Sequence, residues 1–348
     1  MTGKNKNPKN TTRRKSGRVR IEDVARLAGV GAMTVSRAIN NPQAVSDAKR
    51  KAIEAAILET GYVPNLMAGS LASNRSKIIA VLAPLIKTST FSDILQGMSD
   101  TLEDEGYQLL IGSTSYSIER EERLVRAFLS RRADGIVLTG FAHTQNTRKM
   151  LEGADVAVVE TLELTDAPID MAVGCSTFRA AADMARHMAD KGYRKIGLIT
   201  PPKAFDARVD PRLKGFVEGL KEAGLPGIEG RQVEAGELSI DAGGRALEQL
   251  LAQHPETQAV FCSADMFAIG ATLACSRNDW AVPQRVAIAG FGDTDIASQL
   301  HPSLTTIRLK GYEIGSTIAN LFLRKLSGED IAQSVWDVGY ELIQRESV

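Results

Sequence analysis

The sequence predicts two unlike parts, a small α-helical head at the N-terminus and a large α/β body built on parallel sheets. Three observations support this division. Two short helical patterns flank Gly29, seven strand-like runs follow Lys77, and the charge changes sign between the two regions. At 348 residues, with 43% apolar and 24% charged residues, the chain exceeds what one hydrophobic core usually organises.

The formal net charge of zero conceals a strong asymmetry. Residues 1–77 contain 15 Lys and Arg against 5 Asp and Glu, whereas residues 78–348 contain 27 against 37. A basic head joined to an acidic body indicates that the head has a polyanionic partner, with nucleic acid the first candidate. Residues 1–18 are rich in basic and polar side chains and lack apolar anchors, so we predict a disordered basic arm. Whether this arm contacts phosphates or is simply solvated stays open.

The stretch "IEDVARLAGVGAMTVSRAIN" predicts two helices that meet at a turn. Its apolar residues recur at helical spacing on either side of Gly29: Val24, Ala25, Leu27, Ala28, Val35 and Ile39. Ala25 is small where the second helix crosses, Gly29 permits a left-handed turn, and Val35 fills the space between the helices. This spacing is typical of a helix-turn-helix. A helical hairpin inside a core is the alternative, but the polar outward residues and the surrounding positive charge favour DNA binding.

A third helix completes the head, which we expect to span residues 19–62. In "VSDAKRKAIEAAILETGY", Ser46 is the predicted N-cap, Ile53, Ala56 and Ile57 are the predicted buried residues, and Gly61 ends the helix. The next segment, residues 63–77, contains Gly and small polar residues that leave any helix weak in isolation. We interpret it as a linker that folds on a partner.

Beyond Lys77, short β-branched runs alternate with amphipathic segments of helix length. The strand-like runs are "KIIAVLAPL", "YQLLIGST", "DGIVLTG", "VAVVE", "KIGLIT", "AVFCS" and "VAIAGFG". This alternation predicts parallel sheets with crossover helices, arranged as two doubly wound lobes with a ligand cleft at the carboxyl ends of the strands.

Several function classes are disfavoured. The sequence has no Gly-rich phosphate loop after the first strand, no nucleophile elbow and no paired Cys or His ligands, so we expect no enzyme, no cofactor and no metal. Cys175, Cys262 and Cys275 are predicted to be reduced core thiols. No apolar run approaches the ~18 residues of a membrane helix and no signal-peptide core is present, so we expect a cytoplasmic protein.

The segments "VARLAGVGAMTVSRAINNPQAVS" and "GYVPNLMAGSLAS" resemble the lactose-repressor (LacI/GalR) family of bacterial transcription regulators, and the resemblance extends from Val19 to the C-terminus. It implies that the second helix enters the major groove. Ala32, Met33 and Arg37 match positions that read bases, and Thr34, Ser36, Asn40 and Ser46 match positions that contact phosphates. Asn65, Ala68 and Leu71 match a hinge helix that opens the minor groove, with Leu71 as the wedge between base pairs. Ordinary apolar packing is the alternative role for Leu71.

For residues 78–348 the resemblance implies a periplasmic-binding-protein-like effector and dimerisation domain. We expect lobe 1 at about 78–174 and 295–326 and lobe 2 at about 175–294 and 327–348, with crossings near Gly174, Asp295 and Ser327. The expected effector-binding residues are Lys87, Phe91, Thr139, His143, Glu160, Arg208, Arg212 and Asp293. Thr139 and His143 are the weaker candidates, and Lys87 and Arg208 have solvated surface positions as their alternative.

Two departures from the family bear on the ligand. Leu238 stands where relatives often have a stacking aromatic residue, and Gly292 stands where they have Asp. Because the predicted cleft keeps its cationic side chains but lacks a stacking aromatic residue, the sequence favours a small hydroxylated acid as the ligand. The segments "MTVSR", "VLTGFAHT", "DVAVVE" and "IAGF" resemble the gluconate-utilisation repressor branch of the family.

The resulting hypothesis is a homodimeric repressor that binds a palindromic operator and is released by gluconate or a related hexonic acid. A dimer is preferred to a tetramer because the chain ends at Val348 without a heptad tail. Two alternatives stay open, a corepressor-type regulator whose ligand strengthens DNA binding and a cytoplasmic sugar-acid-binding protein.

Overall fold

The computed structural model describes residues 19–63, 75–85, 89–202, 209–228 and 230–348, with only the backbone described for residues 209 and 210. The chain divides into two compact units, Met1–Ser76 and Lys77–Val348. The predicted basic arm at residues 1–18 lies outside the described residues. The same is true of five predicted site residues: Asn65, Ala68, Leu71, Lys87 and Arg208.

The head contains three α-helices, α1 (Ile21–Leu27), α2 (Ala32–Asn40) and α3 (Asp47–Thr60), with a 3-10 turn at Pro42–Ala44. Its core consists of Val24, Ala25, Val35, Ala38, Val45, Ile53 and Ala56. Gly29 and Gly61 have left-handed φ values of 66° and 63°, as the turn between α1 and α2 and the end of α3 require. A sequence of only about 45 residues can thus fold around one small apolar centre.

Two details of the head differ from the sequence prediction. Leu27 is 48% exposed rather than buried, because it is the last residue of α1 and turns away from the core. Ser46 is the N-cap residue of α3, but its side chain accepts no capping hydrogen bond. Its hydroxyl is exposed at the surface of the head.

The described part of the body contains twelve strands in two six-stranded sheets. The strands are β1 (Ile78–Ala83), β2 (Gln108–Ser113), β3 (Gly135–Thr139), β4 (Ala157–Leu162), β5 (Met171–Gly174), β6 (Ile196–Thr200), β7 (Gln232–Glu234), β8 (Ala259–Cys262), β9 (Ala287–Gly292), β10 (Thr305–Leu309), β11 (Val335–Asp337) and β12 (Tyr340–Ile343). The order in sheet 1 is β11-β5-β4-β3-β1-β2, and the order in sheet 2 is β12-β10-β9-β8-β6-β7. All pairings are parallel except that of β10 with β12.

Helices cover the sheets on both faces. They are α4 (Ser89–Leu102), α5 (Ile118–Ser130), α6 (Gln145–Glu152), α7 (Thr177–Asp190), α8 (Val209–Glu222), α9 (Ile240–Gln253), α10 (Asp265–Arg277) and α11 (Gly311–Leu326). In lobe 1, buried residues of α4 and α11 pack on one face of sheet 1, and those of α5 and α6 pack on the other. The predicted helical head and doubly wound two-lobed body are therefore confirmed.

The predicted lobe boundaries need correction. The expected crossing near Asp295 is wrong, because β10 still pairs with β9 in sheet 2 and the chain leaves that lobe only at Lys310, before α11. The crossing near Ser327 is also wrong, because β11 pairs with β5 in sheet 1. The third crossing lies between β11 and β12, at residues 338–339. The first crossing follows β5, which ends at Gly174.

Close helix packing explains why α11 belongs to lobe 1. A Cβ atom at Gly97 of α4 would collide with the carbonyl oxygen of Tyr312, and one at Gly315 of α11 would collide with that of Ile94. Because both helices present glycine at their crossing, their backbones come into contact, and larger side chains would force them apart. This contact holds α11 against α4 after the chain has left sheet 2.

Candidate functional site

The exposed side of α2 is the first candidate surface. Met33 is 77% exposed, and Arg37 and Asn40 lie at the helical spacing that places them on the same side. Arg37 forms no ion pair with any residue that the structure describes, and the side chain of Asn40 donates only a long hydrogen bond to Ser36 Oγ, 3.4 Å. We call Met33, Ser36, Arg37 and Asn40 the α2 face.

The remaining predicted DNA-binding residues of the head surround the α2 face. Ala32 and Thr34 are half-buried in the first turn of α2, where Ala32 packs against the head core, and Ser46 is exposed at the start of α3. Gly31 is the N-cap of α2 and supplies no side-chain hydrogen bond. The surface thus combines one apolar tip with several donors and acceptors, which is the mixture that base edges and phosphates require.

The second candidate is a cavity of about 390 Å³ in the body. Its lining comes from residues at or just after the carboxyl ends of strands in both sheets: Pro84, Tyr116, Leu162, Pro201, Leu238, Ser263, Ala264, Asp265, Phe291, Gly292, Thr294 and Leu309. Ser89, Thr90 and Phe91 of α4 complete the lobe 1 side, and Arg212 and Ile240 contribute from α8 and α9. This is the position at which open α/β sheets bind ligands.

Arg212 is the principal cation of the described cavity lining. It is 7% exposed, its Nη1 donates to the carbonyl oxygen of Ser263 at 2.9 Å, and its guanidinium lies 4.4 Å from the centre of the Phe291 ring. These contacts hold the guanidinium in a fixed position on the lobe 2 side. A buried and oriented guanidinium is suited to a ligand carboxylate, which it can bind through two parallel hydrogen bonds.

Asp265 brings a carboxylate to the same cavity, but the carboxylate already has partners. Its Oδ1 accepts from Thr306 Oγ1 at 2.6 Å, and its Oδ2 accepts from the backbone N–H of Thr294 at 2.7 Å. Burial raises the pKa of Asp265 to about 6, although these hydrogen bonds act in the opposite direction. Asp265 therefore positions the loop after β9.

Two predicted effector residues, Phe91 and Arg212, line the cavity, whereas Asp293 does not. Asp293 follows Gly292 with a left-handed φ of 50°, and its carboxylate forms ion pairs of 2.7 Å with both Arg308 and Arg345. Because its carboxylate is paired with these two cations and does not line the cavity, the prediction that Asp293 accepts hydrogen bonds from ligand hydroxyls is wrong.

His143 and Glu160, also predicted to bind the effector, belong to a separate buried cluster in lobe 1. His143 Nδ1 lies 2.6 Å from Glu121 Oε1, and His143 Nε2 lies 3.2 Å from Glu160 Oε1. The side chain of His143 has no exposed surface, and Glu160 also accepts from the backbone N–H of Ile169 at 2.6 Å. We call Glu121, His143 and Glu160 the His143 cluster. It joins Glu121 of α5 to Glu160 of β4, and none of its members lines the cavity.

Thr139 likewise does not line the cavity, because its Oγ1 donates to the carbonyl oxygen of Leu82 at 3.0 Å within sheet 1. Lys87 and Arg208 lie outside the described residues. In the sequence, however, Lys87 falls between the lining residues Pro84 and Ser89, and Arg208 falls between Pro201 and Arg212. Both positions stay proposals.

Sequence analysis missed the hydroxyl groups and the carboxylate of the cavity lining. Ser263 and Asp265 follow the run "AVFC", and Thr294 follows "AIAGFG". The sequence does contain an indication of these residues, because a polar residue directly after a buried parallel strand lies at the edge of the sheet where ligands bind. The segment "SAD" is ambiguous, however, because it is also typical of an ordinary helix start.

Three further features of the described residues concern metal ligands, thiols and helix length. No group of three or more His, Cys, Asp or Glu side chains is placed to hold a metal ion within the part of the chain that the structure describes. All three thiols are free and buried, and burial raises the pKa of each of them. None of the described helices is both long and apolar enough to span a membrane.

Comparisons with known proteins match both the head and the body. Residues 20–65 match the family model "Bacterial regulatory proteins, lacI family", and residues 185–348 match a periplasmic binding protein-like domain. The chain is 35% identical over 344 residues to the HTH-type transcriptional regulator GntR of Pseudomonas aeruginosa, covering 98% of each protein. It is 33% identical over 322 residues to the regulator of the same name from Escherichia coli K12, covering 92% of this chain and 96% of the relative.

A solved structure shows the same architecture. The crystal structure of a LacI-family transcriptional regulator from Silicibacter pomeroyi superposes with a TM-score of 0.87 at 31% identity, covering 94% of this chain and 99% of the other. The similarity therefore extends through head and body alike. With its helix-turn-helix head and its two-lobed periplasmic-binding-protein-like domain, the chain belongs to the lacI family of bacterial regulatory proteins and is a DNA-binding transcription regulator.

Proposed function

We propose that the protein is a repressor that binds a palindromic operator as a homodimer and releases it when a small sugar acid, gluconate or a related hexonic acid, enters the body. The observation that carries the DNA-binding part is the α2 face within an N-terminal region, residues 1–77, that has 15 Lys and Arg against 5 Asp and Glu. The observation that carries the effector part is the cavity at the carboxyl ends of both sheets with Arg212 in its lining.

The α2 face fits a major groove. Met33 offers an apolar tip for a thymine methyl group, and Arg37 offers a guanidinium that can bond to guanine O6 and N7 together. Thr34, Ser36, Asn40 and Ser46 are proposed to contact phosphates, which fix the register of the head on the duplex. Asn65, Ala68 and Leu71 keep the proposed role of a hinge at the operator centre.

A dimer follows from the size of one head. A single recognition helix of nine residues reads only a few base pairs, so two heads related by a two-fold axis are needed to specify an operator. The two half-sites are then inverted copies of each other. A palindromic site with a separation of about one or more helical turns is the expected target.

The character of the cavity supports an anionic ligand. A cavity of about 390 Å³ is within the usual range for small-molecule sites and accommodates a six-carbon acid. Of the acidic residues in the described lining, Asp265 is hydrogen-bonded and Asp295 is exposed to solvent. Arg212, with Lys87 and Arg208 as proposed neighbours, supplies the positive charge that a buried carboxylate needs.

Replacement of Arg37 by alanine tests the DNA-binding part. We expect the Arg37→Ala variant to lose about 1 to 3 kcal/mol of discrimination at one base pair of each half-site, because a bidentate base contact is removed. The preferred duplex is first selected by the wild-type protein from a random pool. Binding of every single-base variant of that duplex is then measured by fluorescence anisotropy.

The matched control is Lys51→Ala, a basic residue on the exposed side of α3. Loss of this positive charge would weaken binding to all duplexes by a similar factor and leave the base preference intact. If Arg37→Ala behaves in the same uniform way, Arg37 does not read a base and its assigned role is wrong.

A further inference from the structure

Three buried hydroxyl groups in the cavity lining are incompletely hydrogen-bonded within the part of the chain that the structure describes. The side-chain oxygens of Ser89 and Ser263 have no partner there, and that of Thr294 faces only the Asp265 carboxylate, which already accepts from the Thr294 backbone. Ser263 as a whole is only 1% exposed. Nearly all buried polar groups in folded proteins are hydrogen-bonded, so three such oxygens around one cavity call for a ligand or water that completes them.

These hydroxyls come from both lobes. Ser89 is the first residue of α4 in lobe 1, Ser263 follows β8, and Thr294 follows β9 in lobe 2. Ser263 is also tied to the proposed carboxylate site, because its carbonyl oxygen accepts from Arg212 Nη1. If the charged end of a ligand lies at Arg212, the hydroxyl groups of Ser263 and Thr294 are next to the ligand in lobe 2, and that of Ser89 faces it from lobe 1.

The carboxylates of Asp265 and Asp293 already have partners. Asp265 accepts from Thr306 and Thr294, and Asp293 is paired with Arg308 and Arg345. The Arg212 guanidinium covers one face of the Phe291 ring, and Leu238 offers an aliphatic surface. The buried hydroxyls, rather than these two carboxylates, are thus available to recognise a ligand's polar backbone.

We infer that Ser263, Thr294 and Ser89 recognise the hydroxyl groups of the effector while Arg212 binds its carboxylate, so that the site selects a polyhydroxylated acid over either feature alone. This inference rests on the proposed sugar-acid function. Serine and threonine hydroxyls both donate and accept, so they bond to ligand hydroxyls without adding negative charge beside the ligand's carboxylate.

A set of three ligands separates the two parts of the recognition. Isothermal titration of the full chain with gluconate, hexanoate and sorbitol compares an acid with hydroxyls, an acid without them and a polyol without the acid. We expect gluconate to bind at least about tenfold more tightly than either of the others, because unmade hydrogen bonds to buried groups are costly. Equal binding of gluconate and hexanoate would overturn the inference.

Variants then assign the effect to residues. Ser263→Ala and Thr294→Val are each expected to weaken gluconate binding about fivefold, as the net strength of one hydrogen bond dictates, and to leave hexanoate binding unchanged. The control is Thr272→Val, a buried threonine of α10 whose hydroxyl donates to Ala268 within its helix. Thermal unfolding monitors the fold of each variant, and Ser89→Ala provides the same test from lobe 1.

The outcomes distinguish the inference from the function on which it rests. If wild-type protein binds gluconate and these variants bind it equally well, the hydroxyl assignment is wrong and the sugar-acid function stands. If wild-type protein binds no sugar acid at millimolar concentration but still binds its selected duplex, the effector part of the proposed function fails, and the inference fails with it.

Discussion

Replacement of His143 by glutamine is expected to lower the free energy of unfolding of the body by about 3 to 5 kcal/mol, the usual cost of removing one partner from a buried ion pair. Both ring nitrogens of His143 face carboxylate oxygens, at 2.6 Å from Glu121 and 3.2 Å from Glu160. Because carboxylates only accept, both nitrogens must carry protons, and the ring is a buried cation. A neutral glutamine would leave Glu121 without its cation and Glu160 with only the guanidinium of Arg148, 3.9 Å away.

The pH dependence of the same cluster gives a second readout. Burial alone would lower the pKa of His143, but the hydrogen bonds and charges of Glu121 and Glu160 more than offset it and raise the pKa to about 9. The folded-state pKa lies above the unfolded value of 6.5, so the stabilisation is complete below pH 6.5 and is lost as pH rises through 9. The stability difference between wild type and His143→Gln should therefore shrink from pH 7 to pH 10.

Urea unfolding of both proteins across this pH range measures the difference directly. The matched control is His301→Gln, because His301 is exposed and its removal should change stability little at any pH. A His143→Gln variant as stable as wild type at pH 7, or a difference that grows above pH 8, would show that His143 is not the cation of this cluster.

The second large effect concerns effector binding. We expect Arg212→Ala to weaken gluconate binding by about 100-fold or more, because it removes a charge-assisted contact inside a cavity and leaves the ligand carboxylate without compensation. Arg212→Lys should bind with intermediate affinity, since lysine keeps the charge but loses the paired planar donors. Isothermal titration with gluconate measures both variants.

The control for Arg212 is Arg245→Ala, an exposed arginine of α9 that pairs with Asp241 on the surface of lobe 2. It removes the same side chain from the same lobe without touching the cavity. Gluconate affinity should be unchanged in this variant, because exposed ion pairs contribute little to stability. If Arg212→Ala is folded by thermal unfolding and binds gluconate as wild type does, the carboxylate lies elsewhere.

Much of the head and of the sheet framework could be predicted because the signals are local. Gly29 indicates a turn and Val35 a helix contact within a few residues of each other, and seven of the strands are predominantly apolar runs of four to six residues. The strands that were missed are short or polar. In β10, for instance, two buried threonines make a core strand look polar in the sequence, and β11 has only three residues.

The lobe crossings and the site residues depend on contacts between distant parts of the chain. The return of α11 to lobe 1 is set by Gly97 and Gly315, more than 200 residues apart, which sequence periodicity alone does not connect. His143 and Glu160 have the residue types of a ligand site. Only the three-dimensional arrangement shows that these two side chains form a buried hydrogen bond with each other instead of binding a ligand.

We propose that the basic N-terminal region binds a duplex through its helical head and that a ligand in the acidic body controls this binding. The decisive experiment is fluorescence anisotropy of the full chain on its selected duplex, with and without saturating gluconate at fixed salt. We expect tight binding that weakens steeply with salt and a fall in affinity of about tenfold or more with gluconate. A duplex affinity that gluconate leaves unchanged, or an absence of duplex binding at low salt, would overturn this proposal.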